Sequence, residues 1–231
     1  PLKIIEEIME KYSVQNQTLP FMGGAIGYLS YNLRNNTKNK PLIPKMIIGI
    51  YDWAVVIDHR SSKTWLIQNK FDKNPIYCWD SLQELFNQEV KDIDKNFRIT
   101  GDVNANLNLL SYRKKFTKVS NYIKEGDCYQ VNLSQKYKVS TSGDSWIFYK
   151  KFRDINKSPY MAYLSYDDFE IMSGSPEQFI QSRNKHVTTR PIKGTRARHN
   201  DPAKDKANLD ELSVSLKDQA ENLMIVDLLR N

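Results

Sequence analysis

Apolar residues recur at helical spacing in four stretches of the chain and gather into strand-like runs between them. Leu2, Ile5, Ile8 and Met9 fall on one helical face, so residues 2–12 are predicted to form a short amphipathic helix. Residues 78–90 repeat the pattern through Trp79, Leu82, Leu85 and Phe86. From Ser111 to Lys124, Phe116, Val119, Tyr122 and Ile123 share a face, and Gly126 supplies a stop because glycine readily takes the left-handed conformation that ends helices. A last helix is predicted from about Asn208, after the loop His199-Asn200-Asp201-Pro202. Gly24 to Tyr31, glycine-rich and then apolar, suits a buried strand entered through a tight turn. Ile47–Asp58 and Thr64–Asn69 flank the polar turn from His59 to Lys63, a hairpin signal. Lys91 to Asn108 is polar and reads as a connection. Further strands are predicted at Gln130–Ser140, Met161–Tyr166, Phe169–Ser173, Gln178–Gln181 and His186–Arg190. Strands and helices mixed without regular βαβ alternation predict an α+β fold.

Composition narrows the function classes. A chain of 231 residues is long enough for one large domain or two small ones. No apolar run reaches the roughly 18 residues that would cross a bilayer, and no signal-like segment opens the chain. The two cysteines, Cys78 and Cys128, lack metal-ligand spacing, which suits a reducing, cytoplasmic setting. The net charge of +7 is scattered, and the short clusters Arg113-Lys114-Lys115 and Lys150-Lys151 come with no nucleic-acid motif. A mildly basic surface suits an anionic small molecule, and ordinary surface lysines explain it equally well.

The chemistry concentrates near the C-terminal half. Thr189-Arg190-Pro191-Ile192-Lys193-Gly194-Thr195 places an amine in a Pro/Gly turn, and Glu177 stands sixteen residues before that lysine in Ser173-Gly174-Ser175-Pro176-Glu177. A neutral lysine is a covalent nucleophile, and a carboxylate can carry protons for leaving and attacking groups. Free lysine titrates near 10.4, so such a role needs burial or nearby cations, and Arg190, Arg196 and Arg198 are close in sequence. The same residues also fit a solvated polar turn between strands. On the last helix Asp218 and Glu221 are three apart and share a face with Ile225 and Leu228. Magnesium accepts such oxygen ligands, and the bland alternative is a surface pair of Lys217 with Glu221. His59, His186 and His199 are scattered without ligand spacing.

Five ordered segments resemble the chorismate-utilising enzymes. They are Gly23-Gly24-Ala25-Ile26-Gly27-Tyr28 and the residues up to Tyr31, Glu125-Gly126-Asp127-Cys128-Tyr129-Gln130 and on to Ser134, the Ser-Pro-Glu and Pro-Ile-Lys-Gly-Thr segments, and Lys217 to Asn231. Within that family anthranilate synthases typically have alanine at the place of Lys193, and isochorismate and salicylate synthases a lysine at the place of Gln130. Lys193 with Gln130 therefore resembles the aminodeoxychorismate branch of para-aminobenzoate and folate synthesis.

The resemblance implies orthogonally packed antiparallel sheets with outer helices. It implies Lys193 as the nucleophile on the ring of chorismate and Glu177 as general acid/base. Gln130, Gly194 and Thr195 would be substrate-binding residues, with Gln130 orienting ammonia rather than activating water. Glu221, with Asp218 beside it, would hold Mg2+, and a glutamine amidotransferase subunit would supply the ammonia. It implies an N-terminal portion over residues 1–109 and the start of the chorismate-binding core over 110–231. The family's last motif reads on through Arg-Asn-Asp where this chain stops at Asn231, so a fragment without turnover of its own is expected. Further chain would carry the remaining substrate contacts and a second metal-binding glutamate. Anthranilate formation and a non-catalytic folded fragment are the alternatives. Asn156 to Met161 resembles the segment lining a tryptophan site in anthranilate synthases, but Lys157 departs from the usual proline.

Overall fold

The computed structural model describes residues 2–12, 18–33, 41–69, 77–89 and 96–230, in two compact units, residues 1–93 and 94–231. Residues 91–95 of the expected polar connection, Val90 and Asn231 lie outside the described residues.

In the first unit, helix α1 (Leu2–Met9) runs into a 3-10 turn at Glu10–Tyr12, matching the amphipathic spacing of residues 2–12. Strand β1 (Gly24–Leu29) lies antiparallel to β2 (Met46–Tyr51), and β3 (Trp53–Asp58) to β4 (Lys63–Gln68). The run from Ile47 to Asp58, expected as one strand, is two. Asp52 interrupts it, and its carbonyl accepts the Asn69 N–H at 2.6 Å, closing the β3–β4 hairpin at its open end. Asp58 closes the other end by accepting from Arg60 N–H at 2.8 Å and the Ser61 hydroxyl at 2.6 Å. β1 was expected to be buried, but among the described residues it pairs with β2 alone, and Ile26 and Leu29, on opposite faces of the strand, stay exposed. Helix α2 (Trp79–Asn87) buries Leu82 completely. Phe86 from this helix and Tyr77 meet Trp53 of β3 edge-on at 6.2 Å each, the geometry the ring quadrupoles favour.

The second unit opens with two short strands where a plain connection was expected. β5 (Phe97–Ile99) pairs with Thr141–Gly143, and β6 (Asn104–Ala105) with Tyr137–Lys138. β6 pairs by its backbone in polar sequence, which side-chain periodicity does not register, whereas β5 is a short apolar–polar–apolar run whose Phe97 ring lies 4.9 Å from that of Phe148. Conversely, only Tyr137–Lys138 (β7) of the expected strand Gln130–Ser140 is a strand, because residues 131–136 have no ladder partner among the described residues. Thr141–Gly143 is β8.

Helix α3 (Leu109–Glu125) is capped at both ends: Asn108 accepts the Ser111 N–H at 2.9 Å, and Gly126 turns left-handed at φ 81°. Its apolar face, with Phe116, Val119 and Ile123, lines a cavity with Val131 and Leu133.

Helix α4 (Ser145–Asn156) had no counterpart in the sequence reading. It packs on the antiparallel pair β9 (Tyr160–Ser165) and β10 (Glu170–Ser175). Trp146, Tyr149 and Tyr163 form a ring cluster with centroids 5.1 to 5.4 Å apart, and Ser145 Oγ and Tyr163 OH share a hydrogen bond at 2.7 Å. Strands β11 (Gln178–Arg183) and β12 (His186–Arg190) form the last hairpin. The final helix is two helices, beginning earlier than Asn208. α5 (Pro202–Val214) starts where Asp201 accepts the Ala203 N–H at 2.9 Å and Pro202 occupies the first turn. α6 (Leu216–Arg230) follows a break at Ser215.

Candidate functional site

The hairpin β11–β12 explains the sixteen-residue spacing between Glu177 and Lys193. Gln178 pairs with Arg190, so Glu177 and Pro191 leave the hairpin at the same end, with Lys193 two residues further on. The approach to Glu177 is fixed by helix α4. A β-carbon on Gly174 would run into Phe152 and come within 2.5 Å of Asn156 Nδ2, and that amide donates to the Gly174 carbonyl at 2.9 Å. A larger residue at this position would require Phe152 and Asn156 to shift. Next along, the Ser175 hydroxyl accepts the Glu177 N–H at 3.3 Å and donates to the Glu177 carbonyl at 3.1 Å, leaving the carboxylate exposed.

Lys193 is half-buried in a segment without regular secondary structure, residues 191–199. With Pro191, Ile192, Leu212, Asp218, Gln219 and Asn222 it lines an open cavity of about 370 Å³. Gly194 has φ +71°, and a β-carbon there would lie 2.6 Å from Asp218 Cγ and 2.9 Å from Leu212 Cδ1. Both its conformation and its contacts therefore demand glycine. Thr195 is exposed, and its carbonyl accepts from Arg196 Nη1 at 3.0 Å.

Helix α6 carries the two acids expected to hold a cation. Glu221 is half-buried, and its Oε1 accepts from Gln130 Nε2 at 3.4 Å across 91 residues of sequence. No ion pair between Lys217 and Glu221 occurs among the described residues. Asp218 is paired instead with Arg196, whose Nη2 lies 3.4 Å from its Oδ2. Magnesium takes one or two carboxylates and retains several waters. Glu221, held by a neutral amide, fits that demand; Asp218, already engaged by a guanidinium, fits it less well. No group of three or more His, Cys, Asp or Glu side chains suited to a metal occurs among the described residues.

Of the arginines near Lys193, Arg196 and Arg198 are each paired with a carboxylate, Arg198 remaining 90% exposed, and Arg190 is exposed. Arg196 Nε donates to Glu211 at 2.9 Å, and that hydrogen bond, opposed by desolvation and reinforced by the charges of Glu211 and Asp218, raises its pKa. Arg198 grips Asp205 with two bonds of 2.8 Å, which raise its own pKa. The Asp205 carboxyl is held below the usual range by the Arg198 guanidinium first and the His199 N–H second. His199 Nδ1 accepts the Asp201 N–H at 2.9 Å, a loop-forming role, while His59 and His186 are exposed. In the segment Asn156–Met161, Asn156 is used against Gly174 and Lys157 ends α4 in the left-handed conformation at φ 44°.

The structure thus joins Lys193 to Asp218 through one cavity, Gln130 to Glu221 through a hydrogen bond, and Glu177 to the Lys193 turn through hairpin register. Glu177 and Gln130 lie outside the cavity that Lys193 lines. Leu212, Gln219 and Asn222 of that lining, and the Arg196–Glu211–Asp218 contacts, were missed in the sequence. The signal available was that Gln219 and Asn222 fall inside the Lys217–Asn231 segment. Cys78 and Cys128 are free, and no helix among the described residues is long and apolar enough to cross a membrane.

Aminodeoxychorismate synthase component 1 of Escherichia coli (strain K12) is 37% identical over 241 residues, and that of Salmonella typhimurium (strain LT2) 39%. Anthranilate synthase component 1 of Acetivibrio thermocellus is 33% identical over 261 residues. Each match takes in 100% of this chain and 52% of the relative, so the chain spans about half the length of these proteins. The crystal structure of anthranilate synthase component I from Streptococcus pneumoniae TIGR4 superposes with a TM-score of 0.80 at 25% identity, over 98% of this chain and 54% of that one. The α+β fold of helices and antiparallel strands is therefore that of anthranilate synthase component I. The family model for chorismate binding enzymes matches residues 2–231, and the chain belongs to that family.

Proposed function

We propose that the protein containing this chain aminates chorismate at ring carbon 4 to give 4-amino-4-deoxychorismate, with ammonia from a glutamine amidotransferase partner. The observation that carries the reading is Lys193 itself. It lies in a turn whose glycine is fixed by contact with α6 and in a cavity large enough for a small anion. The high identity to aminodeoxychorismate synthase components, 34% to 39% in four bacteria, supports the same branch.

In this reading the Lys193 amine attacks carbon 2 of the ring, both ring double bonds shift, and the 4-hydroxyl leaves as water with a proton from Glu177, which recovers a proton from the newly bonded lysine nitrogen. Ammonia then adds at carbon 4, both double bonds return, and the carbon–nitrogen bond to Lys193 breaks as Glu177 returns that proton to the departing amine, leaving lysine as it began and the product as the ammonium form. Glu177 is given the proton transfer because the hairpin register puts it at the end from which the lysine turn departs. Gln130 orients ammonia, since an amide can donate and accept but takes no proton. The backbone of Gly194 and Thr195 offers close approach to the substrate. Glu221 would hold magnesium, which supplies positive charge for a substrate carboxylate when bound.

The test uses the full-length protein with chorismate and no ammonia. The second displacement cannot proceed, so intact mass should show a protein adduct, and peptide mapping should place it between Arg190 and Arg196. Lys193→Ala should abolish the adduct. An adduct that persists in this variant, or anthranilate as the product once ammonia is added, refutes the reading. The anthranilate result would establish the other branch, represented among the relatives at 29% to 33% identity.

A further inference from the structure

Arg196 is held by acceptors from three parts of the chain: Glu211 of α5 at 2.9 Å, Asp218 of α6 at 3.4 Å, and the carbonyl of Thr195 at 3.0 Å. A planar guanidinium can reach such a set with fixed donors, whereas an ammonium is a single point of charge. Asp218 makes a second contact with the same turn, because its Cγ lies where a β-carbon of Gly194 would come within 2.6 Å. It therefore touches the turn on both sides of Thr195. Its own position is tied to the start of α6, where its N–H reaches Ser215 Oγ at 3.4 Å, and a carboxylate in the first turn of a helix is favoured by the helix dipole. Asp218 is 13% exposed and Arg196 29%, so water competes weakly for the pair, while Glu211 is 64% exposed and its share is screened. Lys193 adjoins Gly194, and Asp218 forms part of the wall of the cavity that Lys193 lines.

We propose that Asp218 is a positioning residue and not a magnesium ligand: with Arg196 it holds the turn that carries Lys193 against α5 and α6. A carboxylate shared with a guanidinium and lying over Gly194 would have to leave both to reach a cation. The functional part of this rests on the reading of Lys193 as nucleophile; the brace itself does not.

Hydrogen exchange in the full-length protein without added metal tests the brace. Asp218→Ala and Arg196→Ala should speed exchange in peptides spanning 191–199 by about tenfold or more, the effect of losing one hydrogen bond between charged groups. Arg196→Lys should resemble Arg196→Ala, and Asp218→Asn should fall between the parent and Asp218→Ala. Peptides covering 145–175 report whether the unit remains folded, and the nearly isosteric Asp218→Asn keeps the test open if the alanine variant does not fold. In the full-length protein, Asp218→Asn should lower kcat for chorismate about tenfold with KM and the half-saturating magnesium concentration within about threefold of the parent. Exchange within about twofold of the parent in both Asp218→Asn and Arg196→Ala, or a magnesium requirement raised about tenfold in Asp218→Asn, overturns the proposal. A parent protein that consumes no chorismate refutes the reading of Lys193 instead, and the exchange measurement then decides the brace alone.

Discussion

Substituting Gly194 by alanine tests the turn that carries Lys193 with the least chemical change. Two costs can be read from the geometry. The residue has φ +71°, and an L side chain in the left-handed region costs about 1–2 kcal/mol. The new β-carbon would also lie 2.6 Å from Asp218 Cγ and 2.9 Å from Leu212 Cδ1, well inside van der Waals contact, and overpacking of this kind costs about 1–3 kcal/mol. Together they should destabilise the second unit by about 2–5 kcal/mol. Trp146 is the one tryptophan in that unit, so replacing Trp53, Trp65 and Trp79 by phenylalanine gives a urea titration that reports on it alone. The steric part can be isolated. In an Asp218→Ala background the closest obstacle is gone, and Gly194→Ala should cost at least about 1 kcal/mol less than in the parent, a coupling expected of residues in contact. If the two substitutions add within about 0.5 kcal/mol, Asp218 does not lie over Gly194 and the reasoning fails.

Two further expectations follow from other contacts. Leu82→Ala removes a side chain with no exposure and should cost about 2–5 kcal/mol in thermal unfolding of the first unit, whereas Leu85→Ala, at 46% exposure on the same helix, should cost clearly less; equal costs would contradict the packing described for α2. The Asp205 carboxyl is depressed by Arg198 and the His199 N–H, so its contribution to stability is fully present above the unfolded value near 3.9 and is lost as pH falls through the lower folded value. The gap in urea midpoint between parent and Asp205→Asn should therefore shrink between pH 5 and pH 3, and a gap that does not change with pH would contradict the pairing.

The elements that could be read from the sequence are those stabilised by their own residues. Helix α3 has its face, its cap at Asn108 and its stop at Gly126 within one stretch, and each does locally what the pattern implies. Helix α4 has aromatics at Trp146, Tyr149 and Phe152 after a capping Asp144, but aromatic and β-branched residues lose rotamer freedom in a helix and give it only modest intrinsic propensity. Its stability comes from Tyr163 and Gly174, which lie on strands that follow it. The stretch Gln130–Ser140 shows the opposite failure. Its residues suit a strand, yet strand propensity acts only through a neighbour, and residues 131–136 have no ladder partner among those described. Asp52 shows a third kind: one polar residue divides an apolar run because its carbonyl is needed by Asn69 at the end of a hairpin.

The candidate site divides along the same line. The spacing of Glu177 and Lys193 could be read because it is the length of a hairpin, a local object whose register brings both ends together. The partner of Gln130 could not, since 91 residues separate it from Glu221 and nothing in either segment names the other. Charge told least of all. Arg196 and Arg198 look alike in sequence, two apart and beside the same lysine. Arg198 closes a local pair with Asp205 at the start of α5, whereas Arg196 reaches both Glu211 and Asp218 and so ties two helices to the turn. Only the arrangement of α5 and α6 separates these roles. The glycine two residues before Arg196 carries the trace that the sequence did hold. Gly194 must be glycine for its left-handed backbone and again for the carboxylate above it, and a position constrained twice is where a turn is being held for a purpose.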